Sequence, residues 1–376
     1  MRDTLTIGRI AGIRVGVNWT WVVVFSLIVW TWATGVFPST NPGHSDGAYV
    51  AMALVGAFLF FFSLLLHELG HALQARREGM EIEGITLWLF GGVAKFKGMF
   101  PGAGPEFRIA IAGPLVSLLL GLLFVGGAQL GLPEAADAVS AWLGYVNLTL
   151  LVFNLLPALP LDGGRVLRAA LWYFRRDFAW ATRVSVAIAQ GFGYLLIAAG
   201  VASLILLSAF SGIWLAVLGW FLLQAAAAES RYLLTRQALG GLRVRDAMVH
   251  DPVTTHPDVT LGRFMDDVVL SRRFTTYPVT DDGRVVGLLP FRCVAEVPRS
   301  EWETRTVRDC MIPLDEIPVV REDDDLVDAA GELAESEANR ALVLDGARLA
   351  GLLTVTDIAR VLQMRGLSRR RLTRGR

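Results

Sequence analysis

Residues 49–77 read YVAMALVGAFLFFFSLLLHELGHALQARR, and this stretch decides the fold. Residues 49–66 carry no charge, and about 20 apolar residues suffice for a helix to cross a hydrocarbon layer. The same helix is expected to continue through Arg76, so His67-Glu-Leu-Gly-His71 lies near its end. On a helix, positions four apart share a face. His67 and His71 can therefore reach one Zn²⁺, and Glu68 beside them can accept a proton from an attacking water. The competing reading is two core histidines with ordinary hydrogen-bond partners. It fails on cost, because three ionisable residues at the end of an apolar membrane helix are expensive unless they perform chemistry. The chain has only five histidines, and two occupy this pattern.

Working outward, five more apolar runs have spanning length: 17–36, 109–130, 139–156, 184–207 and 213–228. The run at 139–156 ends at Pro157. Basic residues fall on alternate sides of the six runs. Arg2, Arg9 and Arg14 precede the first; Arg76, Arg77, Lys95, Lys97 and Arg108 lie between the second and third. Arg165, Arg168, Arg175, Arg176 and Arg183 lie between the fourth and fifth, and Arg231 and Arg236 follow the sixth. The loops opposite contain no Lys or Arg. By the excess of positive charge on cytoplasmic loops, a multi-pass protein of the cell membrane is expected, with both termini in the cytosol. No cleavable leader is read, since the first apolar run is too long for one.

Composition agrees with this division. Hydrophobic residues make up 53% and charged residues 19%, and the charges crowd the part beyond residue 236. The formal net charge is zero, so no nucleic-acid partner is expected. The two cysteines, Cys293 and Cys310, form no disulfide framework and suit a reducing compartment.

A zinc site that does hydrolysis needs a third protein ligand and an open position. Asn154-Leu-Leu-Pro-Ala-Leu-Pro-Leu-Asp162-Gly-Gly-Arg165 offers the best candidate, Asp162, after two prolines that interrupt the helix. The two following glycines are expected to let the backbone turn sharply. Without the histidines, Asp162 would read as a helix N-cap. Residues 84–98 break the helical pattern and predict two short strands, with Gly91-Gly92 as the turn between them. Residues 4–17 are strand-like as well.

Beyond Gly240-Gly241 an internal repeat begins. Arg245-Asp-Ala-Met248 recurs as Arg308-Asp-Cys-Met311, and Val286-Gly-Leu-Leu289 recurs as Ala350-Gly-Leu-Leu353. Each copy predicts a helix (261–271 and 326–336), then a strand, a turn and a strand, and the two copies should pack together. Residues 365–376 contain six arginines and read as a solvated tail, with anionic lipid as the other reading.

HELGH at the end of the second run, together with NLLPALPLDGG after the fourth, resembles the site-2 protease family of intramembrane zinc metalloproteases. Gly91-Gly92-Val93-Ala94 and Ala112-Gly113-Pro114 fit the bacterial and archaeal members. The resemblance implies His67, His71 and Asp162 as zinc ligands and Glu68 as general base. It makes Asn154 a candidate for contact with substrate or oxyanion. It also implies a substrate that is a transmembrane or membrane-proximal segment of another protein, such as an anti-sigma factor or a membrane-bound precursor. A helical peptide bond is shielded, so substrate must unwind. The strand with Gly91, Gly92 and Val93 could satisfy its backbone by strand addition.

The repeat resembles a tandem of CBS domains. Thr354 and Asp357 match that family's nucleotide-contact pattern, which implies ATP, ADP or AMP as ligand, whereas Pro290 and Cys293 replace the equivalents in the first copy. One nucleotide per chain is therefore expected, with a structural or homodimerising pair as the other reading. The expected architecture is a six-helix membrane domain with a small cytosolic β-hairpin or sheet over residues 1–236. A soluble α/β pair follows at 242–300 and 301–364, and then the basic tail. Two other classes compete. A transporter or channel carrying CBS modules would spread polar residues over several spans. A catalytically dead binding protein would not need intact His67, Glu68, His71 and Asp162.

Overall fold

The computed structural model describes residues 5–374 apart from 89–90, 97, 99, 208–210, 270–273, 337 and 347. The chain divides into two compact units, Met1–Leu233 and Leu234–Arg376.

The first unit begins with β1 (Leu5–Ile10) and β2 (Ile13–Val17), followed by α1 (Thr20–Thr40) and α2 (Asp46–Arg77). Next come β3 (Ile82–Trp88) and β4 (Gly91–Phe96), then α3 (Ala103–Gly127), α4 (Glu134–Asn154), α5 (Asp162–Arg175), α6 (Phe178–Leu207) and α7 (Ser211–Leu239). Among the described residues six helices, α1 to α4, α6 and α7, are long and apolar enough to cross a membrane. Each overlaps one of the runs read from the sequence, and no run extends more than three residues beyond its helix. α2 is the longest, at 32 residues. Ser45 caps its first turn by accepting the Ala48 amide, Asp46 complements its dipole at the start, and Arg76 and Arg77 do so at the end.

Small residues let these helices meet closely, as they must where lipid supplies no hydrophobic drive between them. A Cβ on Gly200 of α6 would stand 2.4 Å from the Gly212 carbonyl oxygen of α7, and one on Gly212 would stand 2.3 Å from that of Gly200. Only glycine permits that contact.

The four strands form one sheet in the order β1-β2-β3-β4. β2 and β3 run parallel; the outer pairs are antiparallel. Ile13 and Ile85 pack against Leu69 and Ala72 of α2, so the sheet is fastened to the helix that carries the histidines. β4 is left at an edge. The expected hairpin is present, but Gly91-Gly92 is not its turn. Both glycines lie in β4, paired with Trp88 and Leu87, and residues 89–90 between the strands lie outside the described ones.

In the second unit the two repeats exchange strands. Its elements are β5 (Val249–His250), β6 (Thr276–Asp281), β7 (Arg284–Pro290), α8 (Phe291–Glu296), β8 (Ile312–Pro313), β9 (Val319–Val320), α9 (Leu326–Glu335), β10 (Arg340–Asp345), β11 (Arg348–Thr354) and α10 (Val355–Arg374). β5 of the first copy pairs with β11 of the second, and β8 of the second pairs with β7 of the first. Gly287 and Gly351, from the repeated Gly-Leu-Leu, sit where these short strands cross. A Cβ would stand 2.5 Å from the Ile312 oxygen in one case and 2.8 Å from the Val249 oxygen in the other. The repeat in the sequence is thus a repeat of close backbone approach.

Two expectations shift here. The helix expected over 261–271 is a single turn, Leu261–Phe264, capped by Thr260 and followed by a π turn to Val269; residues 270 and 271 lie outside the described ones. The arginine-rich end continues α10 as far as Arg374 rather than leaving it as a tail, in keeping with the helix propensity of Arg and Leu.

Candidate metal centre

α2 delivers His67, Glu68 and His71, with both imidazoles buried. α5 delivers Asp162 from its first position. His67 Nε2, His71 Nε2 and Asp162 Oδ2 form a triangle whose three sides are each 3.2 Å. Tetrahedral zinc with bonds of about 2.0–2.1 Å sets its ligand atoms about 3.3 Å apart, so this donor set fits zinc in both chemistry and spacing.

The far side of each imidazole is occupied. His71 Nδ1 donates to the Ile109 carbonyl at 2.7 Å, which can only accept, so its Nε2 is a bare lone pair facing the triangle. His67 Nδ1 meets Ser117 Oγ at 2.8 Å. Such outer partners hold a ring's orientation and tautomer. Both come from α3, and Gly113 of the same helix lies between them. A Cβ there would be 2.2 Å from His71 Nε2 and 2.6 Å from His67 Nε2. Pro114 removes an intrahelical donor from this turn, beside the carbonyl that His71 uses.

Asp162 is not a cap. The N-cap of α5 is Leu161, and no side chain caps the helix. Arg165 Nη1 stands 3.7 Å from Asp162 Oδ1 and its guanidinium lies 5.0 Å from the Phe100 ring centroid. Gly163 and Gly164 do not make the expected sharp turn; both lie inside α5. Their role is clearance. A Cβ on Gly163 would fall 2.2 Å from the Leu155 oxygen, and one on Gly164 2.3 Å from the Leu159 nitrogen.

Glu68 is half-buried and faces β4. It accepts from the Ala94 amide, and a Cβ on Gly92 would be 2.3 Å from Glu68 Cγ. That is why a glycine stands in the strand. Gly91, Gly92 and the backbone of Val93 therefore run along the sheet edge beside Glu68. Asn154 is the last residue of α4, half-buried, and its side chain makes no hydrogen bond with a described residue. The sequence reading named neither Ser117 nor Ile109. The stripe Ile109, Gly113, Ser117, spaced by four along α3, was the available signal.

In the second unit, Thr354 and Asp357 close on each other. Asp357 Oδ2 accepts from Thr354 Oγ1 at 2.6 Å and from its amide at 3.2 Å. A cavity of about 530 Å³ lies instead at the turn from β7 into α8, lined by Pro290, Arg292 and Arg340 among others. Burial, and then the like charge of Arg292, lower the pKa of Arg340.

Comparison with known proteins follows the same division. The model of "Peptidase family M50" matches residues 55–133 and 128–199, and that of the "CBS domain" matches 244–298 and 307–364. Rip3 of Mycobacterium tuberculosis, assigned as a zinc metalloprotease, is 38% identical over 370 residues, 97% of this chain and 94% of its own length. A zinc metalloprotease of Methanocaldococcus jannaschii is 32% identical over 307 residues, 81% of this chain and 84% of its own. The solved site-2 protease from Methanocaldococcus jannaschii aligns at 30% identity with a TM-score of 0.41, covering 60% of this chain and 95% of that one.

Proposed function

Since the chain belongs to peptidase family M50, the site-2 proteases, and is a membrane zinc metalloprotease, we propose that it cleaves a transmembrane or membrane-proximal segment of a protein substrate. His67, His71 and Asp162 hold one zinc ion. The triangle of 3.2 Å sides is the observation that carries this reading. Bound zinc supplies a Lewis acid that polarises the scissile carbonyl and acidifies water. Glu68 takes the proton from the attacking water and delivers it to the leaving amine. Asn154, with its amide uncommitted, donates to the oxyanion or to substrate backbone. The free edge of β4 along Gly91, Gly92 and Val93 receives the unwound substrate by strand addition, which brings the chain past Glu68. Both termini and the CBS pair face the cytosol in this reading, which the basic loops support, and substrates of the anti-sigma-factor or membrane-bound precursor kind fit this placement.

Glu68→Gln tests the chemistry. Zinc content stays at one ion per chain while cleavage falls by about 10²–10⁴-fold, the usual cost of removing a general base. Cleavage near the wild-type rate refutes the assignment. Membrane proteins that accumulate uncleaved both in a deletion strain and in a Glu68→Gln strain are the substrates.

For the CBS pair, the reading is one adenine nucleotide (ATP, ADP or AMP) at Thr354 and Asp357. The cavity at Arg292 and Arg340 favours the first copy's cleft instead. A ligand confined to the folded state stabilises it by about 2.7 kcal/mol at one hundred times its dissociation constant, which a melting curve resolves. Loss of the shift in Asp357→Ala assigns the second copy; loss in Arg292→Ala assigns the first. No shift with any adenine nucleotide makes the pair a structural or homodimerising module.

A further inference from the structure

Among the described residues a second buried ionic cluster sits on α5, the helix that starts with Asp162. Arg168 is 4% exposed. Its Nε and Nη2 donate to Glu106 Oε1 of α3 at 2.7 and 2.6 Å, and its Nη1 donates to Glu229 Oε1 of α7. The guanidinium lies 5.2 Å from the Phe178 ring centroid. Glu106 is fully buried and its Oε2 has no hydrogen-bond partner among the described residues. One guanidinium thus ties the helix of Asp162 to two spanning helices.

α5 needs such a tie. It has 14 residues, no side-chain cap and an irregular segment before it, so beyond the close approach at Gly163 and Gly164 no long packed length sets its rotation. Arg168 follows Asp162 by six positions, which is about 9 Å along a helix and about 240° around it. Asp162 faces α2 while Arg168 is held by α3 and α7, and two fixings on different faces define both rotation and register. A buried ion pair is a poor source of net stability, and its best-attested use is to select one arrangement. Here the arrangement it selects is the one that completes the triangle.

We propose that Arg168 is a positioning residue for Asp162, and that through Glu229 the last spanning helix, α7, takes part in setting that ligand. The proposal rests on the reading of Asp162 as a zinc ligand. Its consequence follows from chain connectivity. α7 crosses from the first unit into the second, ending at Leu239, so Glu229 stands on the segment that joins the CBS pair to the protease. A rotation or shift of α7 changes the carboxylate that Arg168 meets, and with it the aim of Asp162.

The test uses the full chain in detergent micelles, loaded with zinc or with cobalt(II), whose d–d absorption reports its ligand set. Glu229→Gln preserves the shape of the side chain and removes its charge. Zinc retention against a chelator is expected to fall by about tenfold, the low end of the loss seen when a direct partner of a metal ligand is removed, with a changed cobalt spectrum. Arg168→Gln is expected to do the same more strongly. The double variant should lose no more than Arg168→Gln alone, because both changes act through one contact. If Arg168→Gln does not fold, Arg168→Lys replaces it, since a point charge cannot span both carboxylates as the fork does. Glu78→Gln, which breaks the pair with Arg108, serves as control and should leave retention and spectrum unchanged. The proposal is overturned if Glu229→Gln keeps wild-type retention and spectrum. It is equally overturned if only the melting temperature falls while the loaded fraction keeps its spectrum, or if the losses of the two single variants multiply. Failure of the zinc reading looks different: His67→Ala would then keep its metal.

Discussion

The most exacting demand on the site comes from a residue with no side chain. Replacing Gly113 by alanine would put a methyl carbon 2.2 Å from His71 Nε2 and 2.6 Å from His67 Nε2. Unbonded heavy atoms pack best at about 3.5–4.0 Å, so the imidazoles or the helix must retreat by about 1 Å. A metal site tolerates displacements of only about 0.2 Å in its bond lengths. Neither ring has room to retreat, because Ile109 O and Ser117 Oγ hold the opposite nitrogens. Gly113→Ala should therefore lose most of its zinc, and residual cleavage should fall by about 10²-fold or more, the usual penalty for a misplacement of this size. Folding should survive, since alanine is favoured over glycine within a helix by about 0.5–1 kcal/mol. The assay is zinc per chain by elemental analysis, beside the melting curve and cleavage of a membrane substrate. One zinc per chain with cleavage within a few-fold of wild type would refute the argument that α3 packs directly on the ligand nitrogens.

Two further outcomes follow from the same geometry. Ser117→Ala removes the partner of His67 Nδ1, and zinc affinity measured by chelator competition should drop by about 10–100-fold; unchanged affinity would mean that the hydroxyl does not orient the ring. Gly163→Ala sets a methyl against the Leu155 carbonyl, so it should destabilise the protein and lower zinc content together, whereas equal melting temperature and zinc content would show that α5 can back away without consequence.

The cluster of His67, His71 and Asp162 was legible because its chemistry is costly in this setting. Imidazoles and carboxylates at the ends of apolar runs stand out, and the spacing of His67 and His71 needs only one helix to interpret. The six spans were legible for a related reason, since length and apolarity are local properties. What escaped was contact across elements. Gly92, Gly163 and Gly164 were read as sites of unusual backbone, the local reason for a glycine. In the structure each is a point of clearance against Glu68 Cγ, Leu155 O or Leu159 N, and nothing within a few residues of them says so. The Gly-Leu-Leu repeat was visible as pattern, but its cause, the crossing of β5 and β8 into the other copy's sheet, is a tertiary fact.

Arg168 shows the limit of reading charge by sign alone. In the sequence it stands among five arginines between the fourth and fifth spans, and each counts equally toward a cytosolic loop. In the structure its charge is compensated by Glu106 and Glu229 and it barely meets solvent. Arg165 is likewise turned toward Asp162 and Phe100. The orientation reading then leans on Arg175 and Arg176, which are exposed, and on the opposite loops, whose sequence has no basic residue. The function argument gains from the same correction. Glu106 and Glu229 are ionisable residues near the ends of spans that belong to neither zinc motif, yet they are not scattered polar groups of the kind that line a transport path. They converge on the one helix whose first residue completes the metal triangle. The charged groups buried in this membrane unit thus fall into two clusters, the donor triangle and the ion pairs of Arg168, and α5 carries a member of each.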